Sequence, residues 1–286
     1  MNAALVSLQA LRVSLPNRAA KPMFGPAPMM EIVKGVDLDI ARGAALGLVG
    51  ESGSGKTTLG RTLVGLIKPT SGKLMYDGID IGKTDEAAFR PLRAKIQMIF
   101  QDPQSSLNPR LTIGSILARP LGVFGKFESA AGRRRRAEEL IDIVGLPAGF
   151  LSRYPHELSG GQRQRIGIAR ALALEPEFIV ADEIVSGLDV STQAQILLLL
   201  RSLRDEFNLT LMFISHDLSV VRVLCNRVAV MSAGEIVEQG ETATVFASPQ
   251  HAYTRELLDS VPLPDVEHGW INAGTADPVG PETVEG

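Results

Sequence analysis

Gly50-Glu51-Ser52-Gly53-Ser54-Gly55-Lys56-Thr57-Thr58 is the stretch on which the fold turns. It fits G-x-x-x-x-G-K-[S/T], a phosphate-binding loop. The pattern has physical meaning only between a strand and a helix, and its flanks supply both. Ahead of it, Ala44-Ala45-Leu46-Gly47-Leu48-Val49 is a short apolar run that reads as a buried strand. Behind it, Leu59, Leu63 and Leu66 recur at helical spacing before Pro69 stops the pattern. The glycines let successive N–H groups turn inward at a helix N-terminus, where an anion is stabilised. Gly50, Ser52, Gly53, Ser54, Gly55, Lys56, Thr57 and Thr58 are therefore the candidate nucleotide contacts. Lys56 would bridge the terminal phosphates, and Thr57 would hold Mg²⁺.

The totals bound what surrounds this loop. The chain has 286 residues, 45% hydrophobic and 21% charged, as an ordinary globular protein does. A formal charge of −3 argues against nucleic acid as a partner. The single cysteine, Cys225, excludes an internal disulfide and a multi-cysteine iron–sulfur site. It sits in the apolar run Val220 to Cys225 and reads as a buried thiol. The first residues carry no basic n-region, and no apolar run approaches the roughly 18 residues of a membrane span. A soluble protein at the cytoplasmic face of the cell (inner) membrane, peripheral to something embedded there, is the expectation.

Read in order, Leu11, Val13 and Leu15, then Val36, Leu38 and Ile40, alternate with polar residues, as half-buried antiparallel strands do. Lys73 to Ile81 reads as a hairpin turning at Asp77-Gly78, and Ile96, Met98 and Phe100 as a strand ending at Gln101. From Asp102 to about Ala173 no strand is expected; Thr112 to Leu121 and Gly132 to Val144 carry helical spacing. Phe178 to Ala181 and Leu211 to Ile214 read as parallel strands, separated by a helix over Gln193 to Phe207. Arg227 to Gln239 reads as a closing hairpin through Ala233-Gly234. From Pro262 onward there are four prolines, five acids and no Lys or Arg, so the tail is expected to be disordered.

A triphosphatase needs an acid for Mg²⁺ and a base for water. Asp182-Glu183 closes the strand Phe178–Ala181, where ligands bind in open α/β sheets. Asp182 is the natural Mg²⁺ partner, and Glu183 the candidate general base. A second glycine-rich element, Leu158-Ser159-Gly160-Gly161-Gln162, precedes a helical stretch with Ser159 at its N-cap. By itself it reads equally as an ordinary capped helix or as an anion site, one that serves another subunit's nucleotide.

The phosphate loop, Gln101, Leu158–Gln162, Val180–Glu183, Ser186-Gly187-Leu188-Asp189 and His216 occur in the order of the ATP-binding-cassette (ABC) ATPases, which residues 5 to 262 resemble. The resemblance implies an α/β fold of the P-loop NTPase type. A RecA-like parallel-sheet core would carry an N-terminal antiparallel β subdomain and an inserted α-helical subdomain at about 102–173. The ATPase domain would span 1–262 and the acidic tail 263–286. It also implies a head-to-tail dimer, each ATP held between one subunit's phosphate loop and the other's Ser159, Gly160, Gly161 and Gln162. By the same likeness Lys56, Thr57 and Thr58 bind phosphates and Mg²⁺. Gln101 senses Mg²⁺ and the attacking water, Asp182 supports Mg²⁺ and Glu183 is the base. His216 contacts the γ-phosphate and Asp189 couples the two sites.

A narrower likeness rests on Gln101-Asp102-Pro103-Gln104-Ser105-Ser106-Leu107-Asn108-Pro109-Arg110, on Arg153 to Glu157, and on Ser248-Pro249-Gln250-His251-Ala252-Tyr253-Thr254-Arg255. These resemble the oligopeptide/dipeptide importers, and Asn108-Pro109-Arg110 their second, F-type, ATPase; Ala252 stands where that subfamily has proline. The implied partners are a second ABC ATPase (or a second copy of this chain), two transmembrane permease subunits and, indirectly, an extracytoplasmic solute-binding protein. An ABC ATPase of a soluble assembly such as the carbon–phosphorus lyase system is the alternative. Three departures stand out. Leu15 occupies the place of an adenine-stacking aromatic, with Phe24 as substitute. Ile184 stands for proline, and Gly187 stands for alanine in the loop linking the sites. Tail cysteines that ligate an iron–sulfur cluster in some relatives are lacking, so no such cluster is expected. Arg133 to Arg136 reads as a solvated helix face paired Arg134–Glu138 and Arg135–Glu139, with lipid headgroups as the other reading.

Overall fold

The computed structural model describes residues 4–22, 25–102, 106–127 and 129–260. Phe24 and the tail expected to be disordered lie outside the described residues.

Alternating apolar residues build the N-terminal sheet. Strand β1 (Ala4–Pro16) pairs antiparallel with β2 (Met29–Ala41), setting Leu8 opposite Leu38 and Leu11 opposite Val36. The chain then crosses into a second sheet at β3 (Ala45–Val49) and returns at β4 (Ser71–Tyr76), which pairs with the other edge of β1. The short β5 (Ile79–Asp80) completes the order β2-β1-β4-β5. Asp77 and Gly78 turn this hairpin with φ of 48° and 78°, as a type I′ turn requires.

The second sheet adds β6 (Ile96–Ile99), β7 (Phe178–Asp182), β8 (Thr210–Ser215), β9 (Arg227–Ser232) and β10 (Glu235–Glu241), in the order β10-β9-β3-β8-β7-β6. All neighbours are parallel except β10, which folds back on β9 through Ala233-Gly234. Strand periodicity of two sorts the side chains to opposite faces. Ile179, Ala181, Leu211, Phe213, Val228 and Val230 enter one core; Phe178, Val180, Met212, Ile214, Ala229 and Met231 enter the other. Both faces are covered, which is why the strands read as unbroken apolar runs.

Helix α1 (Lys56–Leu63) lies in the second of these cores, with Leu59 and Leu63 buried. Leu66 departs from the expected face: the helix stops at Val64, Gly65 takes φ of 71°, and Leu66 is exposed. Two four-residue helices that the sequence reading did not include, α2 (Glu86–Phe89) and α3 (Leu92–Lys95), lead into β6. No strand occurs among the described residues between Asp102 and Ala173. There α4 (Ile113–Val123), α5 (Ala130–Ile143) and α6 (Gly160–Leu172) share the first core through Ile116, Leu117, Leu140, Ile141 and Ile166. On the arginine face Arg134 does pair with Glu138, at 3.1 Å, but Glu139 takes Arg136 at 3.0 Å rather than Arg135. Helical spacing of three as well as four brings neighbours together.

Helix α7 (Val190–Phe207) joins β7 to β8, and α8 (Leu218–Leu224), also unforeseen, joins β8 to β9. Cys225 follows α8, buried, its thiol pKa raised by desolvation. Helices α9 (Thr242–Ala247) and α10 (Ala252–Asp259) close the described chain. No helix among the described residues is long and apolar enough to cross a membrane.

Candidate nucleotide site

Register places the site. Val49 lies opposite Ser215, Asp182 opposite Ile214, and Ile99 opposite Ala181. The carboxyl ends of β3, β8, β7 and β6 are therefore level, and the loops leaving them open into one crevice, where parallel sheets bind ligands.

The phosphate loop leaves β3 at Gly50. Its φ is 147°, and a Cβ there would stand 2.0 Å from the Met231 carbonyl oxygen, so no other residue fits. Gly55 is the N-cap of α1 and provides no side-chain cap. The first N–H groups of that helix are thus left to a ligand. Lys56 is almost wholly buried, and its ammonium donates to the Gly50 and Glu51 carbonyls, both at 2.7 Å. Burial lowers its pKa, opposed by the charges of Glu183, Asp182 and Glu51. Thr58 is the third residue of α1, within its first turn, and its carbonyl accepts from Thr62 Oγ1 at 2.8 Å. Ser54 is buried against the loop, its N–H donating to the Glu51 carbonyl.

Thr57 Oγ1 donates to Asp182 Oδ1 at 3.0 Å, joining loop to strand end. Asp182 is 2% exposed, and burial raises its pKa, reinforced by Glu183 and opposed by the Thr57 bond. A carboxylate in that setting favours a proton or a cation. Next to it Glu183 has φ of 47°, a left-handed conformation uncommon outside glycine, held by its N–H to the Ile214 carbonyl at 2.9 Å. Its two carboxylate oxygens face different neighbours. Gln101 Nε2 donates to Oε2 at 2.9 Å, and His216 Nδ1 stands 3.5 Å from Oε1. The structure therefore gathers Lys56, Thr57, Gln101, Asp182, Glu183 and His216.

Ser159, Gly160, Gly161 and Gln162 form a different surface. Ser159 Oγ accepts the Gln162 N–H at 3.3 Å, and Gln162 Oε1 accepts the Ser159 N–H at 3.0 Å, a capping box at the start of α6. Gly161 packs so closely that a Cβ would meet Thr192 Cγ2 at 2.4 Å. Asp189 caps α7, accepting from Ser191 Oγ, Thr192 N and Thr192 Oγ1. Those bonds hold its carboxyl well below the usual carboxylate range. None of these residues hydrogen-bonds to Gly50–Thr58. In the loop from Glu183 to Asp189, Gly187 takes φ of 75°, which glycine adopts freely and alanine adopts only with strain. Leu15 is half-buried against the core between the sheets.

One contact escaped the sequence reading. Tyr253 Oη accepts the Glu51 N–H at 3.0 Å, from 202 positions away. The motif containing Tyr253 was visible, but nothing local tied it to the loop.

A phosphate loop at the carboxyl ends of parallel strands, with acids and amides converging on it, defines a P-loop nucleotide-binding α/β protein. Known sequences narrow that class to one family. The ABC transporter profile matches residues 33–186, and that of the oligopeptide/dipeptide transporter C-terminal region matches residues 237–283. A candidate peptide import ATP-binding protein of Brucella ovis is 53% identical over 236 residues, covering 82% of this chain and 74% of the relative. A second, from Brucella abortus, is 53% identical over 235 residues, covering 82% and 70%. Among solved structures, the ATP-binding cassette MJ0796, a dimer in a post-hydrolysis state bound to ADP and Pi, superposes with TM-score 0.72 at 32% identity, covering 83% of this chain and 98% of that one. The cbiO1 protein of Clostridium perfringens, part of the transporter complex cbiONQ, gives 0.72 at 26% identity, covering 86% and 91%. The chain belongs to the ABC transporter family. It is an ATPase of that family, whose cassettes work as dimers with permease subunits.

Proposed function

We propose that the chain is the ATP-hydrolysing subunit of a membrane importer of peptides or of a related small solute. The observation that carries the hydrolytic part is Glu183. Among the described residues it is the one carboxylate touched by both Gln101 and His216, beside the Thr57–Asp182 pair. The peptide part is supported by the relatives' names and by the C-terminal region match.

In this reading Gly50–Thr58 wraps the phosphates, its N–H groups aimed inward, and Lys56 exchanges its two carbonyl partners for phosphate oxygens. Glu183 takes the proton of the attacking water, Gln101 orients that water, and His216 donates to the γ-phosphate. Thr57 and Asp182 supply a hydroxyl and a carboxylate oxygen, hard donors that suit Mg²⁺, and the burial of Asp182 leaves its charge in need of a cation. When bound, Mg²⁺ would neutralise phosphate charge there, with Gln101 as a further oxygen donor. In this reading the contribution of these residues is orientation and charge stabilisation.

Ser159–Gln162 would complete the ATP site of a second cassette, which is another copy or a homologue, with Asp189 linking the two sites. The domain would run from 1 to 262, with the helical part inserted at about 102–173. A cleft of about 780 Å³ lined by Phe100, Gln101, Leu111, Pro120, Arg119 and Arg170 lies where that part meets the core and suits a helix of a permease subunit. The assembly would be peripheral on the cytoplasmic face of the inner membrane.

Purifying a tagged chain from detergent-solubilised membranes tests the importer reading. Two membrane subunits and a second cassette are expected to co-purify. Recovery of soluble proteins alone would overturn it.

A further inference from the structure

The chain beyond the last strand returns to the phosphate loop, and it does so from a pinned turn. The Glu238 carboxylate of β10 accepts the N–H groups of Gln250 at 2.8 Å and His251 at 3.0 Å. Arg255 Nη2 closes the same turn on the Gln250 carbonyl at 3.0 Å. His251 Nδ1 caps α10 by accepting the Tyr253 N–H at 3.2 Å. The Tyr253 ring packs against the first core. Its hydroxyl oxygen is thus held at the end of a rigid arm, and that oxygen accepts the Glu51 N–H at 3.0 Å.

The peptide bond between Gly50 and Glu51 is the element in question. Its N–H is taken by Tyr253 and its carbonyl by the Lys56 ammonium at 2.7 Å. Rotating that peptide plane changes ψ of Gly50 and φ of Glu51, and the glycine side offers little steric resistance. The wide ψ range of glycine gives this plane freedom to turn. Hydrogen bonds at both ends remove that freedom, and each polarises the other.

We infer that Tyr253 is a positioning residue of the nucleotide site: its hydroxyl fixes the Gly50–Glu51 peptide and, through it, Lys56 and the mouth of the phosphate loop. The C-terminal segment is then part of the nucleotide site's scaffold. Tyr253 touches no phosphate in this reading. It holds the loop in its binding shape before ATP arrives, so its loss weakens binding rather than the chemical step.

The inference rests on Gly50–Thr58 being the ATP site. Tyr253→Phe keeps the ring and removes only the hydroxyl. In the full chain with its partner subunits, the expected result is a roughly 3- to 10-fold rise in ATP KM and in the Kd of a fluorescent ATP analogue, the size of one hydrogen bond. The kcat is expected to stay at the native value, and the nucleotide-free Tm to fall by no more than the roughly 2–4 °C that one hydrogen bond supports. Glu238→Gln, which loosens the turn one step further away, is expected to move KM and Kd in the same direction by about twofold. Unchanged KM and Kd in Tyr253→Phe, or a fall in kcat at native KM, would overturn the inference. The two failures are separable: native protein that does not bind the analogue removes the site itself, whereas native binding with an indifferent Tyr253→Phe removes only the positioning role.

Discussion

The molecule presents two glycine-rich helix starts, and they are opposites. At Gly50–Thr58 the helix has no side-chain cap, a lysine is buried among carbonyls, Asp182 at the end of β7 takes Thr57, and Gln101 and His216 meet Glu183 beside it. At Ser159–Gln162 the first turn is closed by its own capping box, and Gly161 is pressed against Thr192. The first leaves its donors open and surrounds them with charge; the second satisfies itself and shows its face outward. A Gly/Ser pattern at a helix start therefore does not announce a complete site. What distinguishes the two is whether other elements converge on it.

The largest effect that would break this contrast lies at Lys56. Lys56→Ala should lower ATP turnover by on the order of 10²-fold or more, measured as phosphate release. Native turnover would show that the loop is not where phosphate is held. Glu183→Gln should lower hydrolysis by a similar factor of about 10² while ATP binding survives, seen as a stable nucleotide-bound dimer in size-exclusion chromatography. Hydrolysis at the native rate would remove Glu183 as the base. Ser159→Ala sharpens the other side. It should cost α6 about 1 kcal/mol and lower turnover of the assembled complex, with ATP affinity of the isolated chain unchanged. A weaker ATP affinity in the isolated chain would mean that both helix starts serve the same nucleotide.

Asp182 gives the contrast a pH dependence. Its folded pKa is raised above the ordinary 3.8 by burial, so the folded state holds the proton more tightly than the unfolded chain. Its contribution to stability is present below 3.8 and is lost as pH rises through the raised folded value. Asp182→Asn should therefore raise the nucleotide-free Tm at neutral pH, by about 2–4 °C for each ~1 kcal/mol relieved, and flatten the pH slope while activity disappears. A Tm that falls instead would show that the carboxylate is stabilising without a cation. The smallest effect is expected at Ala252, the first residue of α10. His251 before it already has φ of −84° and ψ of 139°, which a following proline permits. Ala252→Pro should add about 0.5 kcal/mol to unfolding stability in denaturant titration.

Much of this was legible because it is local. A buried strand announces itself by its apolar run, a phosphate loop by its spacing, and an acid pair by standing at a strand end. Leu66 misled because helical spacing does not say where a helix stops; Gly65 did. Arg136 rather than Arg135 met Glu139 because spacings of three and four compete. The short helices before β6 and after β8 carry too few residues for a periodic signal. Pairing of β1 with β4 and contact of Tyr253 with Glu51 depend on the closed fold, and no window of sequence contains both partners. The left-handed turn at Glu183 is likewise a product of its bond to β8, invisible in a residue type that seldom adopts it.

The level ends of the parallel strands have one more consequence, which concerns error. Strand β7 is laddered to β6 on one side and β8 on the other. A slip of one residue would move Glu183 by about 3.3 Å and also turn every side chain to the opposite face. Phe178 and Val180 would then enter the core of Ile179 and Ala181 and overfill it, while the smaller pair would leave the other core underfilled. A misaligned carboxylate and a misfolded core are thus the same event. The packing that keeps the protein folded also proofreads the alignment of Gln101, Glu183 and His216, and chains that reach the folded state arrive with that alignment already checked.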